Sequence, residues 1–269
     1  MWEVASNSQV RANSAATLTC EVVMRNHPIV SQDKWLAARA RLLAKEKEFT
    51  RQRDQLSEER RALPWVKVEK EYVFDGSNGR ETLSQLFQDR SQLLIYHFMY
   101  GTDWNEGCKN CSFWADSFNG ITAHLKHRDV TMIVMSRAPY SKLKTFQNRM
   151  GWSFKWVSSS TTDFSRDFNV SFTPEEIKGT VFYNYEHRKF PMTEAPGISV
   201  FYKDDAGTIF HTYSCYGRGL DAVNCAYQLL DLVPKGRNEA DLPNPMSWVR
   251  HHDKYDDSPF ETSEARLSV

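Results

Sequence analysis

The chain has 269 residues, 41% apolar and 25% charged, an ordinary globular composition sufficient for one large domain or two small ones. Lysine plus arginine equals aspartate plus glutamate at 34 each, so there is no electrostatic footprint for nucleic acid and no such partner is expected. No run of about 18 apolar residues occurs, so no spanning helix and no membrane partner are expected.

The N-terminal stretch MWEVASNSQVRANSAATLTCEVVMRNHP lacks the apolar core of a signal peptide. The chain therefore reads as a protein of the reducing cytosol. Residues 1–26 read as a disordered tail, in which Cys20 is an idle thiol and Met24 a more natural start of the folded protein. Five cysteines is an odd and modest count, unlike a disulfide-stapled secreted scaffold. At least one thiol must stay unpaired within the chain.

A long helix is predicted over Ser31–Leu63, capped by Ser31 and stopped by Pro64. Trp35, Leu42, Phe49, Leu56 and Leu63 recur every seven residues along it. The second seam position is polar or Ala, so the stripe reads as a helix laid on its own domain. A contact in a homodimer is the alternative. Short strands are predicted over Trp65–Val68 and Tyr72–Phe74, then a turn at Asp75–Gly79 and a helix over Leu83–Phe87 capped by Thr82. The apolar run Leu93–Tyr100 reads as a buried strand, and Ser112–Leu125 as the following helix. Val130–Ser136 is a second buried strand, Tyr140–Met150 a helix closed by Gly151, Lys155–Ser158 a strand and Asp163–Phe168 a short helix. Alternating strands and helices imply a largely parallel sheet. Residues 171–194 break the rhythm and read as an inserted arm. Strands over Ile198–Lys203 and Thr208–Tyr213 pair as a hairpin. A last helix over Leu220–Leu232 turns Leu229, Leu230 and Leu232 inward. The remainder is polar and charged, with residues 251–269 a flexible tail in which His251, His252 and Asp253 are solvated.

Between the first buried strand and its helix stands Cys108-Lys109-Asn110-Cys111. A helix N-terminus offers unpaired backbone N–H groups and partial positive charge, and such a setting lowers a thiol pKa. Cys108 is the expected nucleophile and Cys111 the resolving thiol, with Lys109 supplying a cation beside them. Tyr100 and Trp104 are candidates to wall the site, whereas Trp114 reads as core. Two ordinary buried thiols are the bland alternative. Zinc needs four ligands, and Cys215 and Cys225 have no usual knuckle spacing, so no metal is expected. Haem attachment fails because Ser112, not His, follows Cys111. No cofactor is expected.

The order of elements resembles the thioredoxin-like fold: a three-layer α/β arrangement, here with a long N-terminal helix added. The resemblance covers roughly residues 65–232. It implies one domain over residues 27–250, with a helical arm at 31–63 and a core at 65–232. The segments PWVKVEKEYVFDG, YHFMYGTDWNEGCKNCSFWAD, SRAPYSKLKTFQNRMGW, APGISVFY, LLDLVPKGR and SQDKWLAARARLLAKEKEFTRQRD resemble the domain of unknown function 899 family. The fold resemblance implies that Pro196 is a cis-proline facing the dithiol and presenting backbone to an incoming chain. It also implies thiol–disulfide oxidoreduction on a protein or small-molecule disulfide. The chain departs from thioredoxin in having Gly107 before the pair and Lys109-Asn110 within it. Peroxiredoxins share much of this fold, but Gly101 and Asn105 stand where their proline and threonine would precede the cysteine. A peroxidase and a non-enzymatic binding module remain the alternatives.

Overall fold

The computed structural model describes residues 27–255. The expectations for Cys20, for Met24 and for residues 256–269 lie outside the described residues. The chain divides between Ala62 and Leu63 into two compact units.

The first unit holds helix α1, Gln32–Arg61. Ser31 caps it by accepting from the Lys34 N–H at 3.5 Å, and Asp33 complements its first turn. None of its residues is buried. Along its seven-residue stripe Trp35, Leu42, Phe49 and Leu56 are each at least half exposed. Charged residues make up much of the rest of the helix surface. Among the described residues no helix is long and apolar enough to cross a membrane.

The second unit is built on an eight-stranded mixed sheet in the order β1-β10-β9-β4-β5-β6-β2-β3. Its strands are β1 Val66–Lys67, β2 Val73–Gly76, β3 Gly79–Thr82, β4 Gln92–His97, β5 Val130–Ser136, β6 Lys155–Ser158, β9 Gly197–Lys203 and β10 Ile209–Tyr216. Strands β4, β5 and β6 run parallel, and β9 and β10 join antiparallel beside β4. This is the thioredoxin-like arrangement, with the β2–β3 hairpin added at the far edge. The remaining two strands, β7 Val181–Tyr183 and β8 Glu186–Arg188, form a separate hairpin inside the insert. Asn184 and Tyr185 both take positive φ at its tip, as a two-residue hairpin turn requires.

Alternation along β4 builds two cores. Leu93 and Ile95 point to one face, with α2 (Leu83–Leu86) and α6 (Phe164–Asp167) packed there. Tyr96 and Phe98 point to the other, against α3 (Lys109–Ala115) and α5 (Tyr140–Arg149). A buried Phe or Leu contributes about 1.5–3 kcal/mol, so each face is held by several such side chains. His97 ends β4 fully enclosed, hydrogen-bonded to Ser199 at 2.9 Å, and burial depresses its pKa to about 3.

Two predicted helices differ from the structure. The single helix over Ser112–Leu125 is two, α3 and α4 (Thr122–Lys126). The break includes Gly120 at φ +92°, a conformation only glycine takes without strain. The last helix, α7, spans only Cys225–Leu230, after a 3-10 turn over Gly217–Val223. Asn224 caps it by accepting from the Tyr227 N–H, and that phase buries Tyr227 while leaving Leu229 and Leu232 exposed.

Candidate dithiol site

The site is assembled where β4 gives out. Met99, two residues past the strand, turns both backbone groups toward the Cys-x-x-Cys. Its carbonyl accepts from the Cys108 N–H at 3.0 Å, and its N–H donates to Cys111 Sγ at 3.4 Å. The loop between them leaves and returns to one residue, which fixes where α3 begins. Gly107 closes that loop from a buried position. A Cβ there would lie 2.7 Å from the Phe98 ring and 3.0 Å from Phe146, so only glycine fits.

Cys108 is the N-cap of α3 and half-buried; Cys111, one turn on, is buried, and both thiols are free. Ser112 holds the Cys108 carbonyl twice, by its N–H at 2.9 Å and its hydroxyl at 3.0 Å. Ionisation of the Cys108 thiol is eased to a pKa of about 7. The hydrogen bond from the Cys111 thiol comes first, outweighing burial, and the backbone N–H groups of Cys111 and Asn110 and the charge of Lys109 follow. Cys111 moves the other way. Burial, and the proton it shares with Cys108, hold it well above the ordinary thiol range. Sequence reasoning put Lys109 and the helix N-terminus first; the partner thiol is the larger cause, and Lys109 the smallest of those named.

The other expected site residues are distributed as follows. Tyr100 is buried, donates its hydroxyl to the Asn105 carbonyl at 3.2 Å and packs edge-on against Phe146, so it shapes the loop from within. Trp104 is half-buried over Gly101 and packs on the same hydrophobic cluster as Cys108. Lys109 donates to the Ser247 carbonyl at 3.2 Å. Trp114 donates its indole N–H to the Leu220 carbonyl at 2.8 Å.

Pro196 requires a correction. Among the described residues no peptide bond is cis, so Ala195–Pro196 is trans. Nor is the backbone there presented outward. The Ala195 N–H donates to the Val170 carbonyl at 2.9 Å, and the Tyr183 hydroxyl donates to the Pro196 carbonyl at 2.8 Å. Tyr183, inside the insert, holds the second of these groups, and Val170, just before it, holds the first.

Three contributors escaped sequence reasoning. Tyr96 is fully buried with its hydroxyl hydrogen-bonded to Cys111. The alternation of β4 could have revealed it, since Tyr96 shares parity with Phe98. Tyr183 of the insert lies near enough for Cys111 to raise its pKa, though burial is the main cause. His251 was read as solvated, but it is buried, and its Nε2–H donates to the Gly107 carbonyl at 2.9 Å. Its Nδ1 accepts from Arg149 at 3.3 Å, which fixes the neutral tautomer, and burial keeps its pKa below the usual value. No local pattern announces a contact that spans 144 positions of sequence. A surface groove of about 390 Å³ beside Glu106 and Arg149 is lined by neither cysteine.

The family described as "bacterial protein of unknown function (DUF899)" matches residues 24–255. The chain belongs to this family. No protein of curated function matches it. Among solved structures, this DUF899 chain is similar to peroxidoxin BcpB from Mycobacterium tuberculosis at 11% identity, over 62% of this chain and 97% of that one, with a TM-score of 0.41. It is similar to a mutant of peroxiredoxin Q from Xanthomonas campestris at 17% identity, over 58% and 90% of the two chains, with a TM-score of 0.39. A putative thiol:disulfide interchange protein DsbE from Chlorobium tepidum aligns at 12% identity over 61% and 97%, with a TM-score of 0.35. At such values the functional reading of this DUF899 protein rests on its own residues.

Proposed function

We propose that this DUF899 protein is a thiol–disulfide oxidoreductase acting through Cys108 and Cys111. The observation that carries the reading is the asymmetry of the two thiols. Cys108 is half-buried at the N-cap of α3, where the partner thiol eases its pKa to about 7; Cys111, one turn on and bonded by the Met99 N–H, is buried, and burial pushes its pKa up. An attacking thiol works best with a pKa near ambient pH, since lower values cost nucleophilicity and higher ones cost thiolate.

The Cys108 thiolate attacks one sulfur of a substrate disulfide and expels the other half as a thiolate. Cys111 then loses its proton and attacks the Cys108 sulfur, releasing the second half. The dithiol becomes a disulfide, and the substrate disulfide becomes two thiols. Tyr96 serves the second step, because its hydroxyl favours the Cys111 anion inside an otherwise desolvating site. Lys109 and Trp104 border the approach, and a reducing compartment such as the cytosol keeps the pair ready.

Site-resolved alkylation as a function of pH tests this. The Cys108 rate is expected to rise about tenfold per pH unit below about 7 and to level off above about 8, as the thiolate fraction saturates. Cys111 is expected to stay unreacted throughout that range. Equal titration of both thiols in the ordinary range near pH 8.5 would remove the nucleophile.

A further inference from the structure

Two features on either side of Cys108 bear on what can reach it. The first is the C-terminal segment from Ser247 to Lys254. Lys109 donates to the Ser247 carbonyl at 3.2 Å, and His251 donates to the Gly107 carbonyl at 2.9 Å. The residues immediately before and after Cys108 are therefore both tied to this segment. It is anchored in turn by Val249, which is fully buried, and by Trp248, whose ring meets Phe113 of α3 at 5.5 Å. Ion pairs from Asp253 to Arg149 at 2.7 Å and from Lys254 to Glu106 at 2.8 Å close its far end.

The second feature is the turn before β9. Gly197 is paired opposite His97, two residues before Met99, so β9 starts beside the end of the strand that leads into the dithiol loop. An extended polypeptide is held chiefly by main-chain hydrogen bonds to an open edge. Here the main chain is already engaged: Phe172 N–H to the Thr193 carbonyl at 2.8 Å, Ala195 N–H to Val170 at 2.9 Å, and the Pro196 carbonyl by Tyr183.

We propose that the Cys108–Cys111 dithiol acts on low-molecular-weight disulfides, and that the Ser247–Lys254 segment together with the self-paired turn at residues 193–196 excludes polypeptide disulfides. The inference rests on the dithiol reading above. The chemistry is unchanged: a small R–S–S–R accepts two electrons from the dithiol, leaves as two thiols, and the protein is left with a Cys108–Cys111 disulfide. Half-burial of Cys108 leaves it within reach of a compact reagent but not of a disulfide embedded in a folded surface.

Single-turnover reaction of the pre-reduced full chain tests this without an electron donor. Bis(2-hydroxyethyl) disulfide is expected to oxidise the dithiol about 100-fold faster than insulin does at equal disulfide concentration. The double variant Asp253→Ala, Lys254→Ala removes two partly exposed ion pairs and is expected to speed the insulin reaction about tenfold while the small disulfide stays within about twofold. Insulin reacting as fast as the small disulfide in the unaltered protein overturns the size limit and leaves the dithiol reading standing. An insulin rate unmoved in a folded double variant overturns the role of the segment. Reaction with neither substrate overturns the dithiol reading itself. Should the double variant not fold, peptide-mapped labelling of the unaltered protein decides. N-ethylmaleimide is expected to modify Cys108 and a long-chain polyethylene-glycol maleimide to spare it; equal labelling contradicts the proposal.

Discussion

Replacing Cys108 with serine is expected to lower single-turnover disulfide reduction by about a thousandfold, because a hydroxyl at neutral pH offers almost no anion to attack sulfur. Cys111→Ala is expected to behave differently. Its first attack survives, but no second thiol remains to displace Cys108 from the substrate, so a mixed disulfide accumulates and is detected as a mass adduct on the Cys108 peptide. The variant also loses the largest cause of the Cys108 shift, the hydrogen bond from the partner thiol. The alkylation midpoint of Cys108 is therefore expected to rise from about 7 toward about 8.5, the free-cysteine value. The sign is fixed: removing a donor to the thiolate makes the thiolate harder to form. Full activity in both variants, or an unmoved midpoint in Cys111→Ala, contradicts the assignment.

Gly107→Ala is the second large effect. The added methyl meets the rings of Phe98 and Phe146 at 2.7 and 3.0 Å, and both rings are buried among Trp152 and Trp156. Rings so enclosed cannot swing aside, and overpacking of a dense core costs about 1–3 kcal/mol. The same shift drags the Gly107 carbonyl from His251 and moves Cys108, so reduced stability and reduced alkylation of Cys108 are expected together. Urea unfolding measures the first, peptide mapping the second. Shortening the obstructing ring in Gly107→Ala, Phe98→Leu is expected to return about 1 kcal/mol relative to the sum of the single effects. Strict additivity would show that the clash is not the cause.

Much of the sheet was legible because its strands are closed in on both faces. Val130–Ser136 and Lys155–Ser158 have the same limits in sequence and structure, since short segments rich in Val, Ile, Met and Trp between polar turns leave little choice. The cysteine pair was legible from its spacing at the junction of such a run with a helix. Elements governed by capping were read less well. Local pattern carried the helix after Cys111 through Gly120, and it began the last helix before Asn224, whose side chain sets the true start.

The surroundings of the site were the least legible part. His251 and Tyr183 reach the dithiol neighbourhood from segments that carry neither apolar periodicity nor a motif. Pro196 shows the complementary failure. A resemblance supplied the cis bond and the exposed backbone; the bond is trans, and the Pro196 carbonyl accepts from Tyr183 of the insert, whose ends pair at Ser171 and Glu194. Buried Glu194 is held between Ser171 and Arg137 there, with burial raising its pKa to about 7.

Equilibration of the full chain in thiol–disulfide buffers of graded potential, followed by acid quench and peptide mapping, tests the central claim most directly. The account predicts a single two-electron transition in which Cys108 and Cys111 become joined to each other while Cys215 and Cys225 remain thiols. No Cys108–Cys111 linkage at any potential, in protein that stays folded, would contradict it.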